Sequence, residues 1–178
     1  MRYLLISGQA CVLYGASQFT EDIDFWIESS IQNFRAFLRA MAKVKATVYK
    51  LSPPITPFYI RKGHGFYFRI GDDWYIDVMG KPPRVGKFSS ALERARRIKT
   101  EWGALMVVAP EDLVLLKRTN RPADYEAISN LVRHRLSEDN NPVTLRWALC
   151  NTFDIQDLVE YVRRAAGINY TMAFTKGS

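Results

Sequence analysis

The stretch that decides the fold is DIDFWI, residues 22–27, a short apolar run with two aspartates among its first three positions. A run of this length, rich in isoleucine and aromatic residues, predicts a β-strand. Side chains two residues apart on a strand point to the same side, so Asp22 and Asp24 are expected to present two carboxylates to one spot. Two aligned carboxylates on a rigid strand form the hard oxygen site that Mg²⁺ and Mn²⁺ prefer.

A glycine turn precedes this strand, and a third acid follows it. Ser7, Gly8 and Gln9 come directly after the apolar run YLLI, which predicts a strand, a turn and a helix start. Free backbone N–H groups at such a turn suit a phosphate group. Asp77 stands in the apolar run WYIDV, where a carboxylate is costly unless it is paired or binds a metal. Together these parts suggest metal-assisted transfer from a nucleoside triphosphate.

Composition places the chain among ordinary globular proteins. It has 178 residues, 48% of them hydrophobic and 24% charged, which suits one domain with a helical extension. Lys and Arg exceed Asp and Glu by 25 to 18, and the net charge of +7 favours polyanionic partners such as RNA, DNA or triphosphates. Cys11 and Cys150 lack metal spacing and are predicted to be reduced core thiols, which favours a cytoplasmic protein. No signal peptide and no membrane span is expected, because every apolar run is too short.

Alternating strand and helix patterns predict an α/β (α+β) fold: a small mixed β-sheet with helices packed on one face, plus C-terminal helices. Strands are predicted at 3–6, 22–27, 46–50, 66–70, 74–78 and 105–108. The strands at 66–70 and 74–78 flank a three-residue glycine turn, which is typical of a hairpin.

The helical patterns divide the chain into two parts. Helices are predicted after Ser29 or Ser30, from Pro110, and at 123–135, 143–151 and 154–166. Residues 1–135 are predicted to form the main domain, and residues 142–168 a helical extension packed on it. In the last helix, the apolar stripe that should pack inward is Ile155, Leu158, Val159 and Val162.

The order of these motifs resembles the nucleotidyltransferase superfamily signature. LISGQA at 5–10, Thr20 and DIDFWI at 22–27 match its apolar strand, glycine turn and Asp-x-Asp strand, and Asp77 matches its third acid. Downstream, APEDL at 109–113, Lys117 and the RPAD run that ends at Asp124 resemble a segment of the abortive-infection toxin-like branch. The resemblance covers residues 3–132.

The resemblance implies a polymerase-beta-like domain that transfers a nucleoside monophosphate from a nucleoside triphosphate, such as ATP, to an acceptor hydroxyl. Asp22, Asp24 and Asp77 would be the catalytic residues and would hold two ions of Mg²⁺ or Mn²⁺. Asp77 would serve the acceptor-side ion, as a ligand or as a base.

The resemblance also implies nucleotide-binding residues and partners. Ser7, Gly8, Gln9 and Lys117 would bind the nucleotide, with Asp124 orienting Lys117. The acceptor would be an RNA such as tRNA, a protein or a small molecule. The branch implies a toxin–antitoxin or phage-defence role with an antitoxin protein as partner.

Two departures from the family pattern leave other functions open. Gln9 stands where many members have a compact residue, and Gln18 stands where many carry an arginine. They motivate a second hypothesis, a degenerate domain that binds nucleotide or RNA without chemistry. A third is an interaction protein that uses the helices from 142 to 166.

Simpler interpretations of the single motifs also stay open. Asp22 and Asp24 could be exposed acids at a strand end, and Asp77 could form a salt bridge to Arg69 or Lys81. Lys117 and Asp124 could form a surface ion pair. The basic run RARRIK at 94–99 is either an RNA-binding edge or a solvated basic face.

Overall fold

The computed structural model describes the backbone of residues 1–101 and 103–175 and the side chains of 1–101 and 103–167. Its strands are β1 (Tyr3–Ile6), β2 (Asp22–Ile27), β3 (Thr47–Val48), β4 (Gly65–Ile70), β5 (Trp74–Met79), β6 (Arg96–Thr100) and β7 (Gly103–Val107). Its helices are α1 (Ser7–Leu13), α2 (Ile31–Lys43), α3 (Pro57–Lys62), α4 (Phe88–Arg94), α5 (Pro110–Lys117), α6 (Pro122–Glu138), α7 (Pro142–Leu149) and α8 (Ile155–Thr175).

The strands form one mixed seven-stranded sheet in the order β3-β4-β5-β2-β1-β7-β6. The centre of the sheet mixes directions, since β2 runs parallel to β5 and antiparallel to β1, and β1 runs parallel to β7. The hairpin predicted from the glycine turn is β4–β5, paired from Gly65–Met79 to Ile70–Trp74. The predicted fold class, a mixed sheet with helices, is confirmed.

The two faces of the sheet differ most in burial along β4 and β5. One face, here called the core face, is covered by α2, whose Phe34 and Phe37 are fully buried. It carries alternate residues of the strands: Ile27, Phe66, Phe68, Ile76 and Val78. The other face, here called the acid face, carries Asp22, Asp24 and Asp77, all half-buried.

Helices pack on both faces of the sheet. The prediction places the helices on one face. The structure has α2 and α3 on the core face, where they join its cluster, and other helices on the acid face. On the acid face, Phe88 of α4 packs edge-on against Trp26 of β2, with ring centroids 5.6 Å apart. The acids therefore lie beside a helix-covered part of their face.

Three elements escaped prediction from the sequence: α3, α4 and β6. The first two are short, six and seven residues, so their apolar periodicity is weak. The strand β6 is a basic edge strand, RRIKT, that pairs only with β7 in the described sheet. The strand expected at 46–50 is limited to Thr47 and Val48, followed by an extended segment whose Tyr49 N–H donates to the Tyr67 carbonyl at 3.2 Å.

The predicted inward stripe of the last helix is wrong. Exposure of its members is 78% for Ile155, 42% for Leu158, 43% for Val159 and 53% for Val162. The buried side of α8 instead carries Asp157 and Tyr161. Asp157 ion-pairs with Arg133 of α6 at 2.9 Å, so a polar contact and a tyrosine decide which side of α8 packs.

The two cysteines differ from each other. Cys11 is a buried free thiol, as predicted, and burial raises its pKa to about 11. Cys150 is also free but exposed at the end of α7, so its assignment to the core is wrong. No helix in the described part of the chain is long and apolar enough to cross a membrane.

Candidate functional site

The three predicted acids come together at the centre of the sheet. Asp22 and Asp24 lie two residues apart on β2, and Asp77 lies on the neighbouring parallel strand β5. The register places Asp24 directly beside Asp77. Because paired residues of neighbouring strands present their side chains to the same face, all three carboxylates share the acid face. Asp22 is the first residue of β2, but neither Asp22 nor Asp24 is exposed, so the interpretation of the two as exposed strand-end acids does not hold.

The turn between β1 and α1 delivers Ser7 to the same place. Ser7 has a φ of 59°, a left-handed conformation that is unusual for a residue with a side chain. This conformation turns the chain sharply from the strand into the helix and brings the Ser7 hydroxyl close enough to Asp24 to lower the pKa of that carboxyl. Strain at a non-glycine residue next to a carboxylate cluster is a typical feature of a functional site.

The side chain of Thr20 packs so closely against Gly8 that no side chain fits at position 8. A Cβ atom added to Gly8 would lie 2.3 Å from the Oγ1 atom of Thr20, two residues before Asp22. The loop before β2 therefore rests on the glycine turn, and any side chain at position 8 would push it away. This contact ties the turn to the acid strand.

Gln9 points away from the acids. Its side chain lines an apolar groove of about 620 Å³ with Leu5, Leu13 and Phe25, which lies on the core-face side of β1 and β2. Gln18 is exposed and lines a different pocket, between the loop at 15–18 and α6. The structure thus brings Ser7, but not the side chain of Gln9, to the carboxylates.

The carboxylates perturb one another. Burial raises the pKa of Asp24 to about 6, and the negative charges of Asp77 and Asp22 add to that rise, against the opposing effects of the Ser7 hydrogen bond and Lys117. Burial also raises the pKa of Asp77, and the charge of Asp22 adds to the rise, while Lys50 opposes it. Burial and mutual repulsion make it costly to ionise these carboxylates. A cation would offset that cost, so the cluster is a candidate for cation binding.

Asp77 is hydrogen-bonded by a tyrosine and not by a basic residue. The Tyr49 hydroxyl donates to Asp77 Oδ1 at 3.3 Å. Neither Arg69 nor Lys81 forms an ion pair with Asp77 in the described part of the chain; Arg69 lies 3.8 Å from Asp72 instead. The salt-bridge interpretation of Asp77 is therefore wrong.

Lys117 is held at the edge of the site by an ion pair with Asp124. Its Nζ atom lies 2.8 Å from Asp124 Oδ1, and both side chains are largely buried, at 14% and 6% exposure. Arg121 Nε donates to the other oxygen of Asp124 at 3.0 Å, and the Thr119 hydroxyl also donates to it. Burial alone would raise the pKa of Asp124, but these donors hold it below its ordinary value. The pair is buried rather than on the surface, and the Lys117 charge reaches Asp24.

The donor chemistry of the acid cluster fits a hard divalent cation, since it consists of carboxylate oxygens. Among the described residues, no three His, Cys, Asp or Glu side chains already converge as a ready-made metal-ligand set. The carboxylates of Asp22, Asp24 and Asp77 would have to rotate toward one another to share an ion. Two-ion binding by these acids stays a prediction.

The basic run at 94–99 is largely engaged inside the protein. Arg94 makes a bidentate contact with the buried Asp112 at 2.9–3.1 Å, and Arg96 ion-pairs with Glu138. Arg97 and Lys99 are exposed on the edge strand β6. The solvated basic face is therefore limited to alternate residues of this strand.

Several polar residues of the acid face were missed from the sequence. Tyr67 pairs with Asp77 and Tyr75 pairs with Asp22, so both share the acid face. Alternation in the predicted hairpin could have placed them on one face, but only the register shows which strand lies beside the acids. Arg69 and Lys50 were missed for the same reason.

Comparison with known proteins supports the fold. No protein-family model matches the chain, and no curated protein matches it. Among solved structures, the chain is similar to lincosamide antibiotic adenylyltransferase LnuA, crystallised with lincomycin bound. The TM-score is 0.50 at 14% sequence identity, and the match covers 72% of this chain and 84% of that one. At this identity the likeness concerns the fold, which is similar to that of a nucleotidyltransferase.

Proposed function

We propose that the protein is a metal-dependent nucleotidyltransferase that moves a nucleoside monophosphate from a nucleoside triphosphate to an acceptor hydroxyl. The observation that carries the proposal is the pairing of Asp24 with Asp77, beside Asp22 and the Ser7–Gly8 turn. A sheet that leaves three acids on an open face, next to a tight strand-to-helix turn, is suited to phosphoryl-type chemistry. The likeness in fold to an adenylyltransferase supports the same class of reaction.

Each group has a separate task in this proposal. When bound, two divalent cations would neutralise charge on the attacking and leaving oxygens. Asp22 and Asp24 would hold both ions, and Asp77 would hold the acceptor-side ion. The Ser7 hydroxyl, which lies close to Asp24, would help to orient that carboxylate, and the Tyr49 hydroxyl, which donates to Asp77, would orient the other.

The triphosphate would be received by the turn and by Lys117. Backbone N–H groups at the Ser7–Gly8 turn are not blocked by a side chain at position 8. Lys117, held in place by Asp124, offers a buried positive charge within reach of the acid cluster. A charge fixed by a buried partner costs no reorganisation when phosphate binds.

ATP as the nucleotide, an RNA acceptor, an antitoxin partner and a role in toxin–antitoxin or phage-defence systems extend the proposal. They rest on the sequence resemblance and on the net charge of +7. Gln18, exposed in the loop before β2, leaves the triphosphate without the arginine that many relatives carry there.

The test is a transfer assay with the full chain. The protein is incubated with Mg²⁺, each of the four nucleoside triphosphates labelled at the α-phosphate, and a mixture of total RNA and protein acceptors. Label transfer with release of pyrophosphate is expected from the native chain and not from Asp22→Asn/Asp24→Asn. Asp72→Asn/Asp73→Asn makes the same charge change in the exposed turn after β4 and is expected to keep the activity.

Two results would contradict the proposal. Transfer that survives in Asp22→Asn/Asp24→Asn would place the chemistry elsewhere. Metal-independent nucleotide binding without pyrophosphate release under any acceptor condition would favour the degenerate binding domain.

A further inference from the structure

Two rows of side chains cross the acid face from the acids toward the sheet edge. Strand registers define them, because paired residues of neighbouring strands present their side chains to the same face. The rows run from β2 through β5 to β4: Asp24–Asp77–Tyr67 and Asp22–Tyr75–Arg69. The side chains next to the acids are therefore two tyrosines and one arginine.

A third tyrosine, from the segment after β3, joins this surface. The ring of Tyr49 packs edge-on against Tyr75, with centroids 4.9 Å apart, and stands 6.4 Å from Tyr67. Its hydroxyl reaches Asp77 at 3.3 Å. All three tyrosines are half-buried, so part of each ring faces solvent.

Two cations accompany the tyrosines. The Lys50 Nζ atom lies 5.0 Å from the ring centroid of Tyr49 and 4.9 Å from that of Tyr67. The Nε atom of Arg69 is buried without a hydrogen-bond partner among the described residues. Its guanidinium has only a distant contact, 3.8 Å, with the exposed Asp72. The Arg69 side chain as a whole is 42% exposed, so its guanidinium can still receive an acceptor group that arrives from outside.

These five residues, Tyr49, Lys50, Tyr67, Arg69 and Tyr75, are here called the acceptor platform. We propose that the acceptor platform binds the 3′-terminal nucleotides of a single-stranded nucleic acid. The tyrosine rings would stack on bases, and the two cations would contact the phosphates. The inference rests on the proposed function, since the platform would bring a terminal hydroxyl to the acids.

Charge and shape favour this class of acceptor over others. A cationic small molecule would be attracted by the acids but repelled by Arg69 and Lys50, so the platform itself would not favour it. A neutral one would leave the charges of Arg69 and Lys50 without an anionic partner. A strand with phosphates and planar bases satisfies both the cations and the rings, and the net charge of +7 adds long-range attraction.

The test measures binding without catalysis. The full chain is titrated, in EDTA and without nucleoside triphosphate, against fluorescein-labelled single strands of about eight nucleotides, and fluorescence anisotropy is recorded. RNA and DNA strands are both used, with adenosine monophosphate as competitor. The native chain is expected to bind strands with a dissociation constant that rises with salt.

The platform variants are compared with a matched control. Arg69→Gln is expected to weaken binding about tenfold and to reduce the slope of log affinity against log salt by about 0.7. Arg97→Gln removes the same charge from the exposed strand β6, at the other edge of the sheet, and should leave that slope unchanged. Tyr67→Ala should weaken binding about tenfold, while Tyr67→Phe, which keeps the ring, should bind like the native chain. Thermal unfolding of each variant confirms that it is folded.

The outcomes separate this inference from the proposed function. Absence of strand binding, or equal loss in Arg69→Gln and Arg97→Gln, overturns the acceptor platform even if the chain transfers nucleotides to another acceptor. If adenosine monophosphate competes as strongly as an unlabelled strand at the same nucleotide concentration, the platform binds a single nucleotide. That result would contradict the proposal that a strand is its ligand. Strand binding that depends on Arg69 and Tyr67 supports the platform. This holds even if Asp22→Asn/Asp24→Asn leaves transfer unchanged, a result that would contradict only the chemistry assigned to the acids.

Discussion

The two faces of strand β5 serve opposite purposes, although their residues alternate. Val78 on the core face is fully buried under α2, while its neighbour Asp77 on the acid face is half-buried among other acids. The core face lowers the free energy of the fold by removing apolar area from water. On the acid face, the pKa values of Asp24 and Asp77 are raised, so these two carboxylates lower the stability of the fold at pH values above those pKa values. A sheet that keeps such a face is built for more than its own stability.

The largest expected effect separates activity from stability. Asp24→Ala should reduce nucleotidyl transfer by about 100- to 1,000-fold, because a charge-stabilising group at the reacting centre is lost. The same change should leave the free energy of unfolding unchanged or higher, since a repelled carboxylate is removed. Steady-state transfer rates and urea unfolding of one preparation check both parts. If Asp24→Ala loses enough stability to explain its loss of activity, the claim that the acid face serves activity rather than stability is contradicted.

The second largest effect is expected at the buried ion pair between Lys117 and Asp124. Asp124→Ala should lower the free energy of unfolding by about 3 kcal/mol, because Lys117 is left as a buried charge without its partner. Urea denaturation of Asp124→Ala, of Lys117→Met and of the double variant Lys117→Met/Asp124→Ala measures it. The double variant, which removes both charges, should recover part of the loss; a double variant as unstable as the sum of two single changes would contradict the buried-pair interpretation.

A third experiment compares neighbours on opposite faces. Val78→Ala should lower the free energy of unfolding by about 2–3 kcal/mol through lost burial and a residual cavity. At a temperature where the variant is folded, its transfer rate should stay close to native. Asp77→Asn should show the reverse pattern, with native-like stability and little transfer. Thermal unfolding and the transfer assay on both variants decide it, and equal patterns would contradict the division between faces.

The smallest expected effect is a pH dependence of stability. The pKa of Asp24 is about 6 in the folded chain, against 3.8 ordinarily, so the folded chain keeps a proton that the unfolded chain releases. The contribution of Asp24 to stability should therefore fall as pH rises from about 4 to 6, by about 1–3 kcal/mol, and stay flat above. Urea unfolding of native protein and Asp24→Asn in EDTA, at several pH values, gives this contribution as a difference. A difference that does not change with pH would show that the folded carboxylate has an ordinary pKa.

The sequence was a good guide where a pattern is local. The strand DIDFWI follows from alternation, and the β4–β5 hairpin follows from the glycine turn between its strands. The sequence also named the three acids, because their strands are short and apolar. The roles assigned to them, and the metal and nucleotide sites, stay predictions.

Local patterns failed where packing chooses between two possible sides. The stripe Ile155, Leu158, Val159 and Val162 of α8 is apolar and helical in spacing, yet it faces solvent. Hydrophobic periodicity cannot tell that Asp157, paired with Arg133 of α6, will occupy the buried side instead. The side chain of Gln9 shows the same limit, since the turn directs it to the groove beside Leu5; its role in nucleotide binding stays a prediction.

By itself the sequence determined the alternation of strands, the identity of the acids and the glycine turn, because each depends on neighbours a few residues away. Only the tertiary structure decided that Asp24 lies beside Asp77, that Tyr49 bonds to it, and that Lys117 is buried against Asp124. The physical reason is strand order and register: β2 and β5 are neighbours in the sheet but about fifty residues apart in the chain. No local pattern specifies which strands pair, whereas burial of the core-face cluster under α2 and α3 helps to do so.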